Sequence, residues 1–226
     1  MGILEKIITM DNLLFMLKAA GTSVTIAVVC LFFGTIIGVI GAMCKISESK
    51  ILRGIATVYV EIIRGTPMLL QLLMFFLGFP TLIRAITGAP FSPNPYVVGA
   101  IAISINSGAY STELIRSGIQ SIDKGQWEAG KSLGMSHGKI MKKIILPQSF
   151  KRIIPPLVSE FITLIKDSSL ISNIGCIELL KSSQILGARY YNYLIPLLLA
   201  SIVYLTLTMT ISYFARKIER RLAISD

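Results

Sequence analysis

The sequence predicts an all-α integral membrane protein, and three observations lead to that class. Of the 226 residues, 53% are apolar, and the mean hydropathy is +0.71. Charged residues make up only 15% of the chain, where a soluble domain carries roughly 25%. The shortfall is concentrated in long runs: Ala19 to Cys44 and Tyr190 to Ala215 contain no charge. Each exceeds the roughly 20 residues that cross a hydrocarbon layer as a helix. The first run is too long for a secretory signal and ends in Lys45-Ile46-Ser47-Glu48 without a small-residue cleavage site, so it reads as a retained helix.

Five hydrophobic segments follow in order. The first covers Leu13 to Met43. The second covers Arg53 to Phe79, where Glu61 and Arg64 stand one turn apart and predict an ion pair. Pro67 predicts a kink in it. Leu69, Leu70 and Met74 beyond the kink suit a gate or ordinary packing equally. A short Pro/Gly-rich connection, Thr87 to Pro95, leads into the third segment, Pro95 to Ser117. There Asn106, Tyr110, Glu113 and Ser117 recur at helical spacing and form one polar stripe. The fourth, Ile153 to Leu180, carries Glu160, Thr163 and Asp167 on one face and is interrupted at Lys166-Asp167-Ser168-Ser169. The fifth runs from Asn192 to Ile218. The whole chain, 1–226, is expected to form one transmembrane domain.

Basic residues orient these spans. Fifteen lysines and arginines fall on the side of the first and third connections and the C-terminal tail, including Arg216, Lys217, Arg220 and Arg221, against five on the other. The richer side is expected in the cytoplasm, which puts the N-terminus outside. This placement explains the net charge of +10 without nucleic acid. Contact with anionic lipid or with a cytoplasmic protein accounts for the basic surface instead. Cys30, Cys44 and Cys176 lack metal-ligand spacing, and His137, the single histidine, has no ligand companion. No metal and no cofactor is expected.

The connection at about 118–151 is long enough to fold by itself. Gln126 to Leu133 reads as a short helix ended by Gly134 in a left-handed conformation. Ser136 caps a second helix, which Pro147 is expected to terminate. Ile140, Met141, Ile144 and Ile145 share one face of that second helix, and Lys139, Lys142 and Lys143 lie off it. An apolar ridge beside a basic one suits a docking partner.

Within this connection Glu128-Ala129-Gly130, then Gly134 and Ile144-Ile145-Leu146-Pro147, resemble the cytoplasmic loop of bacterial ABC importer permeases: E-A-A, three residues, G, nine residues, I-x-L-P. Gly130 replaces the second alanine. Glu61 to Pro67, the Gly108-Ala109-Tyr110 stretch with Glu113 and Arg116, and Lys166 to Leu170 are similar to signatures of the polar amino acid branch of that family. The resemblance implies a type I importer fold with five transmembrane helices and a coupling helix, in a bacterial inner membrane. It implies a second permease subunit (a copy or a similar chain), two separate ATPase subunits and an extracytoplasmic amino acid binding protein. Glu128, Ala129, Gly130, Gly134, Met135, Leu146 and Pro147 are then the expected ATPase-coupling residues.

Gly125 to Ser132 also satisfies G-x-x-x-x-G-K-S, the phosphate-binding loop of ATPases. Such a loop needs a buried strand before it, and here Ser121-Ile122-Asp123-Lys124 precedes it. ATP is therefore expected to be hydrolysed elsewhere. An uncoupled channel or carrier would need no coupling loop. A membrane enzyme would need a nucleophile–base pair or a cofactor motif, and neither is visible.

Ionisable groups within spans are costly and mark function by default. Glu113 and Asp167 are the expected partners of a cationic cargo group, with Asn106, Ser104, Tyr110 and Thr163 adding hydrogen bonds and Leu69 adding apolar contact. The broken helix at Asp167-Ser168-Ser169 can offer free N–H groups to an α-carboxylate. The same residues also admit a plainer role, with Glu113 pairing Arg116 three residues on and Asp167 neutralising Lys166. The expected cargo is arginine, lysine, histidine or glutamine.

Overall fold

The computed structural model describes residues 2–223, which form helices joined by short connections, without a strand among the described residues. The side chains of Arg220 and Arg221, counted above in the basic tail, lie outside the described residues. A short α1 (Ile3–Ile7) precedes α2 (Met10–Ile46), whose first turn is capped by the Thr9 hydroxyl accepting from the Asn12 backbone N–H. At 37 residues and about 1.5 Å per residue, α2 outreaches a hydrocarbon layer of about 30 Å.

The second segment is broken rather than kinked. Helix α3 (Lys50–Arg64) stops at Gly65, and the chain restarts at Pro67 into α4 (Met68–Leu73), a π-helical turn (Met74–Gly78) and α5 (Phe79–Thr87). Its apolar part therefore lies beyond the break, over Met68–Thr87. By length and composition three helical stretches can cross a membrane: Met10–Ile46, Met68–Thr87 and Leu194–Lys217.

Helix α6 (Pro95–Gln120) starts at Asn94, whose side chain caps Tyr96 and Val97, and packs along α2 more extensively than any other pair. Gly34, Gly38 and Gly41 of α2 lie buried against Ser107, Ser111 and Thr112 of α6. A Cβ on Gly38 would come within 3.0 Å of the Ser111 backbone carbon, so the two backbones approach as small-residue stripes allow in membranes. The Ser111 hydroxyl, fully buried there, has no hydrogen-bond partner among the described residues.

The hairpin follows. Helix α7 (Lys124–Ser132) ends in paired bonds from Gly134 N to Lys131 O and from Met135 N to Gly130 O, with Gly134 at φ +69°. This is the glycine-terminated C-cap expected from the sequence. The residues matching the phosphate-loop pattern are thus wound into a helix. Ser136 precedes α8 (His137–Ile140) without a side-chain cap, and its backbone carbonyl takes the N–H groups of Lys139 and Ile140.

Pro147 does not end the second helix. From α8 the chain passes through a π-helical turn (Met141–Ile145) directly into α9 (Leu146–Asp167), with Pro147 in the first turn of α9. Leu146 N donates five residues back to Met141 O. The wider turn makes room for the proline ring and its missing donor. The second arm of the hairpin and the span are one continuous rod.

Helix α9 carries Pro155 and Pro156 and passes into a 3-10 turn (Ser168–Ile174) closed by Gly175 at φ +90°. Helix α10 (Leu179–Tyr190) and α11 (Leu194–Ala223) complete the chain. Among the buried apolar clusters, one holds Ile26, Leu72, Ile103 and Ile165 among the spans, and a smaller one holds Ile122, Ile140 and Ile145 in the hairpin.

Candidate functional site

The polar stripes of α6 and α9 meet in a cavity of about 440 Å³. Tyr110, Glu113 and Ser117 line it from α6, Glu160 and Thr163 from α9, and Arg64 from the end of α3. The helical spacing that predicts two stripes thus brings Tyr110, Glu113 and Thr163 together.

Asp167 does not line the cavity. It lies on the same face of α9 as Glu160, two turns further along, and is half-buried. Asn106 is also elsewhere. It is 9% exposed, and its Nδ2 donates to Gln71 Oε1 at 2.9 Å. Ser104 sits buried in the core, and Leu69 projects from α4 outside the cavity.

The charges are unequally compensated. Glu113 accepts from Lys45 Nζ at 2.5 Å and from Arg116 Nη2 at 2.6 Å, with side chains only 13% exposed for Lys45 and 17% for Glu113. Arg116 reaches on to Gln120. Glu160 accepts from the Ser107 hydroxyl at 2.8 Å, and no ion pair reaches it among the described residues. Arg64 does not pair with Glu61 as expected. Its guanidinium lies 5.2 Å from the centre of the Tyr110 ring, a cation–π arrangement.

The interruption after Asp167 offers no free helix end. Ser168 N continues into Leu164 O, and the Ser168 hydroxyl donates to Ile165 O. The next helix start, at α10, is filled by Glu178: its carboxylate accepts from Leu180 N at 2.8 Å and Lys181 N at 2.7 Å. It also accepts from the Tyr204 hydroxyl at 2.9 Å, and it is completely buried. Neither Glu178 nor Arg64 belongs to the polar stripes of α6 and α9. The signal for Glu178 is an acid directly before the helical run Leu179-Leu180-Lys181.

In the hairpin, the apolar ridge faces inward rather than outward. Ile140 and Ile145 are fully buried with Ile122, and Trp127, Met135, Met141 and Ile144 pack around them. The outer surface presents Glu128, Ala129 and Leu133, the last 79% exposed, beside Lys139, Lys142 and Lys143. Gly130 is buried under Ile140, Met135 and Leu146 are half-buried, and Gly134 and Pro147 are exposed. His137 stacks on Trp127 with ring centres 4.8 Å apart and closes α7 onto α8.

The family described as binding-protein-dependent transport system inner membrane component matches residues 34–224. A protein of Rickettsia bellii (strain RML369-C), provisionally assigned as the permease of a glutamine transport system, is 42% identical over 95% of both chains. The arginine transport system permease protein of Bacillus subtilis (strain 168) is 38% identical over 96% of this chain and 97% of its own. A crystal structure of an amino acid ABC transporter with histidines superposes with a TM-score of 0.88 at 32% identity, covering 98% of this chain and 99% of that one.

Proposed function

The chain belongs to the family of binding-protein-dependent transport system inner membrane components, and on that premise we propose that it is the permease subunit of an ATP-driven importer of polar or cationic amino acids. One observation carries the cargo class. The cavity holds a carboxylate, Glu160, and a guanidinium, Arg64, neither of them in an ion pair among the described residues. An amino acid brings an ammonium and a carboxylate, and a desolvated charge of either kind needs a counter-charge. Because Lys45 and Arg116 already neutralise Glu113, Glu160 receives the cationic group and Arg64 the α-carboxylate. Tyr110, Thr163 and Ser117 supply hydrogen bonds around them, and Asp167 stands on the path of entry.

The basic hairpin end lies in the cytoplasm under the positive-inside rule, with the N-terminus outside a bacterial inner membrane. Five crossings follow: α2, α3 to α5 together, α6, α9 and α11. Two ATPase subunits dock on Glu128, Ala129 and the neighbouring surface of α7 in a complex with a second permease subunit, and a binding protein delivers cargo at the opposite end. Movement of the docked hairpin passes into Glu160 through the unbroken rod from α8 to α9.

In the assembled complex with its binding protein, Glu160→Gln is expected to raise the L-arginine concentration that half-stimulates ATP hydrolysis at least about tenfold, the loss of one charge-assisted contact. An unchanged titration would remove Glu160 from the cargo path.

A further inference from the structure

We propose that Gln71 is a positioning residue for the cargo cavity: its carboxamide replaces the backbone N–H that Pro67 lacks, and thereby fixes where Arg64 enters the cavity wall. In an uninterrupted helix the Ile63 carbonyl would take the N–H of the residue four places on. That residue is Pro67, which has none. Gln71 Nε2 donates to Ile63 O at 2.7 Å instead, and also to Thr66 Oγ1 at 2.8 Å and Thr66 O at 3.1 Å. The side chain is 7% exposed, so water does not compete for these carbonyls.

The second partner fixes which way the amide points. Asn106 Nδ2 donates to Gln71 Oε1 at 2.9 Å. A flipped carboxamide would set its oxygen against the Ile63 and Thr66 carbonyls and its NH2 against that of Asn106. The break between α3 and α4 is therefore clamped to α6 at Asn106. Tyr110, one turn further along α6, holds the Arg64 guanidinium over its ring. Arg64 directly follows Ile63, so the clamp at one end and the ring at the other define its place. Asn106, expected from the sequence to touch cargo, acts through Gln71 and Arg64.

This inference rests on the cavity being the cargo site, and the test separates the two. In the assembled complex with its binding protein, ATP hydrolysis is titrated with L-arginine. Gln71→Leu is expected to raise the half-stimulating concentration about tenfold, as small misplacements of a binding group do, while basal hydrolysis stays within about twofold. The double variant Gln71→Leu, Arg64→Ala should be no worse than Arg64→Ala alone, since Gln71 acts through Arg64. Additive losses would overturn the inference and leave the cavity reading standing. An Arg64→Ala titration that does not move would overturn the inference, and if Glu160→Gln is also silent the cavity reading falls with it. Should Gln71→Leu fail to assemble, Asn106→Ala keeps the carboxamide but releases its orientation. A shift of about threefold, absent in the Arg64→Ala background, is expected there, and an unshifted Asn106→Ala would overturn the proposal.

Discussion

Glu113→Ala is expected to destabilise the folded chain by roughly 3–5 kcal/mol, because it strands a buried counter-charge. The ion pair with Lys45 ties the end of α2 to α6, and Lys45 is 13% exposed with no other ion pair among the described residues. Arg116 is less affected, since it also bonds Gln120 and is 31% exposed. The melting midpoint of detergent-purified protein should fall by on the order of 10 °C. Replacing both partners, as in Lys45→Met with Glu113→Met, should restore most of the loss, because an apolar pair leaves no orphan charge. A single variant as stable as the parent, or a double variant worse than the single, would refute this account of Glu113.

Gly130→Leu should abolish cargo-stimulated ATP hydrolysis while the chain still inserts and folds in the membrane. A Cβ at Gly130 would meet Ile140 Cγ1 at 2.8 Å and Cδ1 at 3.0 Å. Ile140 cannot retreat, being fully buried with Ile122 and Ile145. Overpacking of this kind costs roughly 1–3 kcal/mol, and the hairpin relieves it by spreading α7 from α8. That movement displaces Glu128 and Ala129 on the outer surface, and a shift of about 1 Å at a docking surface can reduce a coupled rate on the order of a hundredfold. Gly130→Ala brings the same Cβ contact but none of the further carbons of leucine, and should show a smaller loss of stimulation. The measurement is co-purification of the ATPase with each variant, followed by stimulated hydrolysis. Full coupling in Gly130→Leu would mean that the seating of α7 on α8 is irrelevant to docking.

The sequence made the helical architecture legible where periodicity and punctuation are local. The body of α2 follows from an uncharged run, and the start of α6 from a connection rich in proline and glycine and from Asn94 before Pro95, while both helices extend about three residues past the expected ends. The hairpin turn follows from Gly134. Proline misled in both directions. Pro67 reads as a kink and makes a break, because the orphan Ile63 carbonyl finds a side-chain donor eight residues on. Pro147 reads as a stop and is carried through, because a π turn upstream absorbs its missing N–H. Neither outcome can be read from the proline alone, since each depends on hydrogen bonds that only the folded chain supplies.

The candidate site divides the same way. Stripe spacing places Tyr110, Glu113 and Thr163 on facing helices, but it cannot say which charge is neutralised. The partner that decides the question for Glu113 is Lys45, 68 residues earlier. The partner that removes Asn106 from the cavity is Gln71, 35 residues earlier. Contacts of that range have no signature in a local pattern.

Coupling through the hairpin to a separate ATPase is tested most directly by reconstitution. The purified chain is placed in liposomes with its ATPase and binding-protein partners, and uptake of labelled L-arginine and L-glutamine is followed with and without ATP. Uptake that requires ATP and the ATPase subunits, together with no hydrolysis by the chain alone, is the expected result. Hydrolysis by the isolated chain, or uptake that proceeds without the ATPase, would contradict it.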